Sequence, residues 1–346
     1  GCIMALLTLM GADGWTGAAA TQKEIARRAG VSCATVSRVI RDPSLVRRQL
    51  AQQVWTAMRE LGVEPRDGEL AEHKRNDLLV VVNDFTYSLY GGFIAGIART
   101  AAEKGLNLVL CNSGGNLSVE RASVNNACRS GYAGVIFVTA EDTTEYREMV
   151  AGITIPVVFL NRKIEGLDYD SVLLAHFETA RVAVRHLLEQ GHRRIAMLST
   201  DTDSTNTRAE QAGFVDALLQ GGVPYPQAQA SIFYYPNTYR GGYDFVRRFE
   251  QEKLDYTALY VISSEQTVGL VLGQMQRPDS AFSRVKILAL NRSPVLVRPL
   301  PGLTTMEQPV QEMGRKAVEV LLERAAAPQR ERMNVQYNAL LDPGAF

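Results

Sequence analysis

Residues 21–40 read Thr21-Gln22-Lys23-Glu24-Ile25-Ala26-Arg27-Arg28-Ala29-Gly30-Val31-Ser32-Cys33-Ala34-Thr35-Val36-Ser37-Arg38-Val39-Ile40. Ile25, Ala26 and Ala29 recur at helical spacing, so a first helix buries them along one face. Gly30 stands where that helix must stop, since a left-handed residue closes the last turn at no steric cost. Ser32 can cap a second helix, which turns Val36, Val39 and Ile40 inward. Two short helices around one tight turn have helix-turn-helix spacing, the geometry that lays a second helix in the major groove of DNA. Periodicity alone also fits an ordinary αα-corner.

Working outward, Arg41-Asp42-Pro43-Ser44 is a turn, and Gln49 to Leu61 forms a third amphipathic helix with Leu50, Val54, Ala57, Met58 and Leu61 on one side. Gly62 ends it. Pro65 and Gly68 open a charged, turn-rich connector down to Asp77. The whole chain of 346 residues has zero formal charge, yet residues 20–66 hold nine basic against four acidic side chains, a net +5. The rest therefore carries −5, which fits a small basic module on an acidic body. Ahead of the helices, residues 1–20 contain an apolar run from Cys2 to Met10 with no basic residue before it. They read as a disordered extension or a misassigned start, outside the fold, not as a secretion signal.

From Leu78 the pattern changes to short apolar strands alternating with helices. The strands are Leu78–Val82, Leu106–Cys111, Gly134–Thr139 and Val157–Leu160, followed by a second series that runs from Ser171–Leu174 to Val285–Leu290. Near-continuous apolar strands with helices between them imply parallel sheets covered on both faces, here two lobes. Leu303–Glu307, the helix Val310–Glu323 and a strand about Met333–Leu340 are too short for a third domain and should return to complete the first two.

The run Ala-Gly-Val-Ser-x-Ala-Thr-Val-Ser-Arg-Val at 29–39 closely resembles the headpiece of the lac/gal repressor family. Ala183 to Ala196 resembles that family's helix-to-strand passage in the second lobe, and Leu303 to Pro309 with Glu312-Met313-Gly314 resembles its return crossing and final helix. The resemblance spans about residues 20–340. It implies a small all-α helix-turn-helix headpiece followed by an α/β body of two periplasmic-binding-protein-like lobes, with a small-molecule effector in the cleft. The expected parts are a headpiece at 21–65, a hinge at 66–77, a first lobe at 78–161 with 307–326, and a second at 162–306 with 327–346. Crossings between the lobes are expected near Asn161-Arg162, Met306-Glu307 and Ala325–Ala327. The resemblance also implies a homodimer on double-stranded, pseudo-palindromic operator DNA, with first-lobe helices near Tyr90–Ala102 and Ser118–Arg129 at the dimer surface.

It assigns base reading to Cys33, Ala34 and Arg38. Arg38 suits bidentate bonding to guanine, while Cys33 and Ala34 offer small contacts such as one with a thymine methyl. Thr21, Ser32, Thr35, Ser37 and Arg41 are placed to hold phosphates, though each hydroxyl also suits a helix cap. In the hinge, where relatives carry an apolar minor-groove wedge, Leu70 is the one candidate. Carboxylates at Asp67, Glu69 and Glu72 surround it and repel phosphate, so weak or absent DNA bending is expected.

The cleft departs from the family pattern as well. Asp84 and Arg162 occupy familiar polar positions, but Glu210 stands where Arg is usual, Ser264-Glu265 where Asn-Asp is usual, and Asn291-Arg292 replaces a paired Asp. The expected effector is a polar small molecule, a sugar or sugar derivative, held by Asp84, Arg162, Glu210, Glu265 and Asn291. Tyr234, Tyr235 and Tyr239 are candidates to stack on it.

Other classes find little support. Four cysteines (Cys2, Cys33, Cys111, Cys128) make neither a Cys-x-x-Cys pair nor a zinc-ligand spacing, so no metal or other cofactor is expected. No phosphate-binding Gly-rich loop or Gly-x-Ser-x-Gly elbow suggests an enzyme. The four histidines (His73, His176, His186, His192) read as solvated. A solute-binding receptor would share the two lobes but has no use for residues 21–61. No run approaches a membrane span, and a cytoplasmic location follows from DNA binding.

Overall fold

The computed structural model describes residues 21–41, 46–63, 75–139, 141–202, 204–291, 293 and 303–342, without the side chains of Arg41, Arg48, Arg59 and Arg75. The expected extension at 1–20, the hinge candidate Leu70 and Arg292 lie outside the described residues. The chain forms two compact units, divided between Lys74 and Arg75.

The first unit contains α1 (Gln22–Ala29), α2 (Cys33–Arg41) and α3 (Arg48–Glu60). α1 opens with a capping box: the Thr21 side chain accepts from the Glu24 amide, and the Glu24 carboxylate accepts from Thr21 N at 2.7 Å and Oγ1 at 2.9 Å. Those bonds, the backbone one first, hold the Glu24 carboxyl below its ordinary value. α1 ends on Gly30 at φ 68°, whose amide returns to the Ala26 carbonyl. Ile25, Ala26, Val36, Val39, Val54, Ala57 and Met58 meet in one core, as their spacing predicts, and Ala51 and Val63 join them. Arg28 pairs with Glu60 at 2.6 Å on the surface between α1 and α3. Because the box satisfies two otherwise orphaned groups, Thr21→Ala should lower headpiece stability by about 1 kcal/mol. Thermal melts followed by circular dichroism check this; an unchanged headpiece transition would contradict it.

The second unit holds two six-stranded sheets. The first is built from β1 (Arg75–Val82), β2 (Asn107–Asn112), β3 (Tyr132–Phe137), β4 (Val157–Leu160), β5 (Asp170–Leu174) and β11 (Asn334–Tyr337), all parallel in the order β11-β5-β4-β3-β1-β2. The second is built from β6 (Ile195–Thr200), β7 (Ile232–Tyr235), β8 (Ala258–Val261), β9 (Lys286–Leu290), β10 (Leu303–Glu307) and β12 (Leu340–Asp342), in the order β12-β10-β9-β8-β6-β7 with β12 antiparallel.

Helices cover both faces of each sheet. On the first lie α4 (Ser88–Glu103) and α12 (Val310–Ala326) on one side, and α5 (Leu117–Arg129) and α6 (Thr144–Ala151) on the other. On the second lie α7 (His176–Glu189) and α8 (Thr205–Gln220) opposite α10 (Tyr239–Gln251) and α11 (Ser264–Gln276); α9 is the short helix Tyr225–Ala230. α12 seats on α4 through two glycines. A Cβ on Gly96 would meet the Gln311 carbonyl at 2.1 Å, and one on Gly314 the Phe93 carbonyl at 2.4 Å, so no side chain fits at this crossing.

This topology corrects the expected domain limits. Residues 75–77 belong to β1, not to the connector. β5 pairs with β4 and β11 with β5, so the first crossing falls at Ala175 instead of Asn161-Arg162, and the third at residues 338–339 instead of Ala325–Ala327. The second falls at residues 308–309, just past the expected Met306-Glu307, which still belong to β10. Of the last described residues only β12 joins the second sheet.

Candidate DNA-reading helix and effector cleft

In the headpiece, α2 shows its N-terminal face to solvent. Ser32, Cys33, Ala34 and Arg38 are exposed, Thr35 and Ser37 half-buried, while Val36 and Val39 are fully buried and fix the rotation of the helix. Ser32 caps α2, its Oγ accepting from the Thr35 amide at 3.1 Å and lying 2.9 Å from Thr35 Oγ1. Thr21 and Ser32 are thus both engaged as caps. Arg41 closes α2; its side chain is among those not described.

In the body, a cavity of about 210 Å³ opens between the two sheets. It lies where the carboxyl ends of the strands meet the amino ends of the helices, the expected ligand position in open α/β sheets. Asn83 follows β1, Asn161 and Arg162 follow β4, Asn291 follows β9 and Gln308 follows β10, while Tyr87, Tyr90, His176, Glu210 and Glu265 come from helix starts facing them. Asn161 and Asn291 occupy matching places, each the first residue after its strand, each at φ 62°. Asn tolerates this left-handed backbone better than most residues. The Asn291 amide donates to Met306 O at 2.8 Å, and its Oδ1 accepts from Gln308 N at 2.9 Å. The Asn161 amide donates likewise to Val172 O at 2.8 Å, but its Oδ1 is buried without a partner.

The floor carries a buried polar cluster. Glu210 Oε1 accepts from His176 Nδ1 at 2.7 Å, and Oε2 from the Tyr260 hydroxyl at 2.5 Å. Burial pushes the Tyr260 phenol far above its ordinary value, and Glu210 beside it adds to the shift, so Tyr260 remains a donor. Burial also raises Tyr90, against the lowering effect of Arg162. At the mouth, Glu265 reaches from α11 to the start of α4: its Oε1 accepts from Ser88 Oγ at 3.1 Å and Ser88 N at 3.4 Å, while Ser88 Oγ lies 3.1 Å from Ser264 Oγ. The lobes also meet where Asn206 Nδ2 donates to the Asn161 carbonyl at 2.6 Å.

Of the five expected cleft residues, Arg162, Glu210, Glu265 and Asn291 line this cavity. Asp84 does not. Its carboxylate folds onto its own turn, accepting from Thr86 Oγ1 at 2.7 Å and Thr86 N at 2.9 Å, which holds its carboxyl below the ordinary value. Tyr234, Tyr235 and Tyr239 also lie off the cavity lining; Tyr234 and Tyr239 are exposed elsewhere. The aromatic side chains present are Tyr87 and Tyr90, edge to face at 5.9 Å. His176, read as solvated, is instead largely covered beside Glu210. Among the described residues no group of acidic, His or Cys side chains is arranged to hold a metal, and no helix is long and apolar enough to cross a membrane.

A helix-turn-helix module on a two-lobed body with a polar inter-lobe cavity defines the class: a DNA-binding regulator with a ligand-binding domain. Residues 21–66 match the bacterial regulatory proteins of the lacI family, and residues 75–339 match the family of periplasmic binding proteins and sugar-binding domains of the LacI family. This chain belongs to the LacI family of transcriptional regulators. It is 25% identical to the ribose operon repressor of Escherichia coli K12 over 325 residues, 93% of this chain and 98% of that protein. It is 28% identical to catabolite control protein A of Priestia megaterium over 302 residues, 86% of this chain and 90% of that one. The solved complex of the transcriptional regulator CelR with cellobiose shares its fold, with a TM-score of 0.69 at 23% identity, covering 94% of this chain and 98% of that one.

Proposed function

We propose that this regulator is a cytoplasmic, homodimeric repressor that binds a pseudo-palindromic operator and answers to a sugar or sugar derivative in its inter-lobe cleft. The observation that carries the proposal is the pairing of an exposed, rigidly seated α2 bearing Cys33, Ala34 and Arg38 with a cavity whose lining comes from both sheets. Cys33, Ala34 and Arg38 read bases, and Thr35, Ser37 and Arg41, with the caps Thr21 and Ser32, hold phosphates. Arg162, Glu210, Glu265 and Asn291 meet the effector. The names of relatives that act on ribose operons or are solved with cellobiose support a sugar.

A dimer through the first lobe fits the exposed Leu110 on the edge strand β2 and the exposed Val119 on α5. Ligand binding redistributes the lobes between two arrangements and so alters headpiece spacing across the dimer. This requires only that the ligand prefer one arrangement. Sedimentation of the full chain with an operator duplex should give two chains per duplex. A bound sugar should change operator affinity by about 5- to 150-fold, the usual range of such coupling. One chain per duplex, or an affinity indifferent to every sugar that binds, would contradict the proposal.

A further inference from the structure

Two buried side chains of the cavity lining leave an acceptor unused. Asn161 is 5% exposed and Gln308 7%, and neither Asn161 Oδ1 nor Gln308 Oε1 has a hydrogen-bond partner. Beside them Glu210, 2% exposed, is held by the Tyr260 hydroxyl on one oxygen and by His176 Nδ1 on the other. A buried acceptor left without a partner is costly, and two in the wall of one cavity call for a ligand that donates to them.

Charge narrows the class further. Arg162 is the one Lys or Arg in the described lining, against the two carboxylates Glu210 and Glu265. An anionic ligand would meet more negative than positive charge in a partly desolvated site. A cationic amine would share the cavity with Arg162, and the unsatisfied acceptors are neutral amide oxygens, which suit hydroxyl groups. We infer that the cleft is built for an uncharged, hydroxyl-rich ligand and rejects its phosphorylated or carboxylated counterparts, with Glu210 as the specificity-determining group and His176 and Tyr260 as the residues that position it. This inference rests on the cleft being the effector site.

The test is isothermal titration of the full chain with matched sugars: D-ribose against ribose 5-phosphate, D-glucose against glucose 6-phosphate and D-glucuronate, and cellobiose. At least one neutral sugar should bind saturably, its anionic partner about 100-fold more weakly or worse. Glu210→Gln keeps the shape and removes the charge, and should narrow that ratio to about tenfold or less. Since the ratio is internal to each variant, a general loss of stability does not move it. Glu265→Gln, at the more open mouth, should narrow it by a smaller factor and gives a second reading should the buried variant fold poorly. An anionic sugar that binds as tightly as its neutral partner would overturn the inference while leaving the effector reading intact. Saturable binding by none of these sugars, neutral or anionic, would overturn both.

Discussion

Asp170→Asn is expected to cost about 3–5 kcal/mol of stability, because it strips the carboxylate that bonds directly to a buried guanidinium. Arg324 Nε and Nη2 donate to Asp170 at 2.8 and 3.0 Å, the Met333 amide donates at 2.8 Å, and Arg330 Nη2 stands 3.4 Å away. The same Arg324 donates to the carbonyls of Pro328, Arg330 and Glu331. The pair therefore fastens the end of α12 and the following loop to β5, which lets β11 reach its place beside β5. Asparagine keeps the shape and leaves the buried cation without its bonded counter-charge.

Thermal unfolding should show a fall of roughly 6–15 °C in the transition of the body. A loss below about 1 kcal/mol would mean that the loop holds without the pair. Burial alone would raise the Asp170 carboxyl, but the bonds from Arg324 and Met333 outweigh it and hold the group below its ordinary 3.8. A depressed carboxyl contributes stability that is present above about pH 3.8 and lost as pH falls through the lower folded value. The asparagine variant should lack that part of the acid dependence.

Arg38→Ala should have the largest effect on DNA. A bidentate arginine–guanine contact is worth about 1–3 kcal/mol of discrimination, and a dimer makes it twice, giving about 2–6 kcal/mol, or from about thirtyfold upward in affinity. Stability should not change, since Arg38 is exposed while the buried Val36 and Val39 hold α2 in place. Competition binding with the operator and with a duplex altered at the contacted base separates the roles. Loss confined to the operator supports base reading. Equal loss on both duplexes would make Arg38 a phosphate contact.

The headpiece could be read from sequence because its signals are local: Ile25, Ala26 and Ala29 at helical spacing, Gly30 at the turn, Ser32 before the second helix. The strands could be read from their apolar runs. What escaped was pairing over distance. Asn334–Tyr337 is four residues of alternating exposure, and nothing in it says that it will lie beside Asp170–Leu174 in the first sheet. Likewise the end of β4 at Asn161 looks like an exit from the lobe, yet the chain makes one more strand before leaving.

In the cleft, Arg162, Glu210, Glu265 and Asn291 were legible through the resemblance to the repressor family, whose polar cleft positions they occupy. Asp84 occupies such a family position too and fails because Thr86, two residues on, captures its carboxylate. His176 was missed because its partner Glu210 is 34 residues away. The spacing of Tyr87 and Tyr90, three apart at the start of the first helix after β1, was a signal that the more conspicuous Tyr234, Tyr235 and Tyr239 obscured.

The most direct measurement is selection of bound sequences from a random duplex pool by the full chain at two salt concentrations. Phosphate-only binding collapses as salt rises, whereas base-specific binding persists further. Enrichment of an inverted repeat that survives the higher salt is the predicted result, and its half-sites would give the bases that Cys33, Ala34 and Arg38 read. A pool left without any preferred sequence at either salt concentration would contradict the account of α2 as a sequence-reading helix.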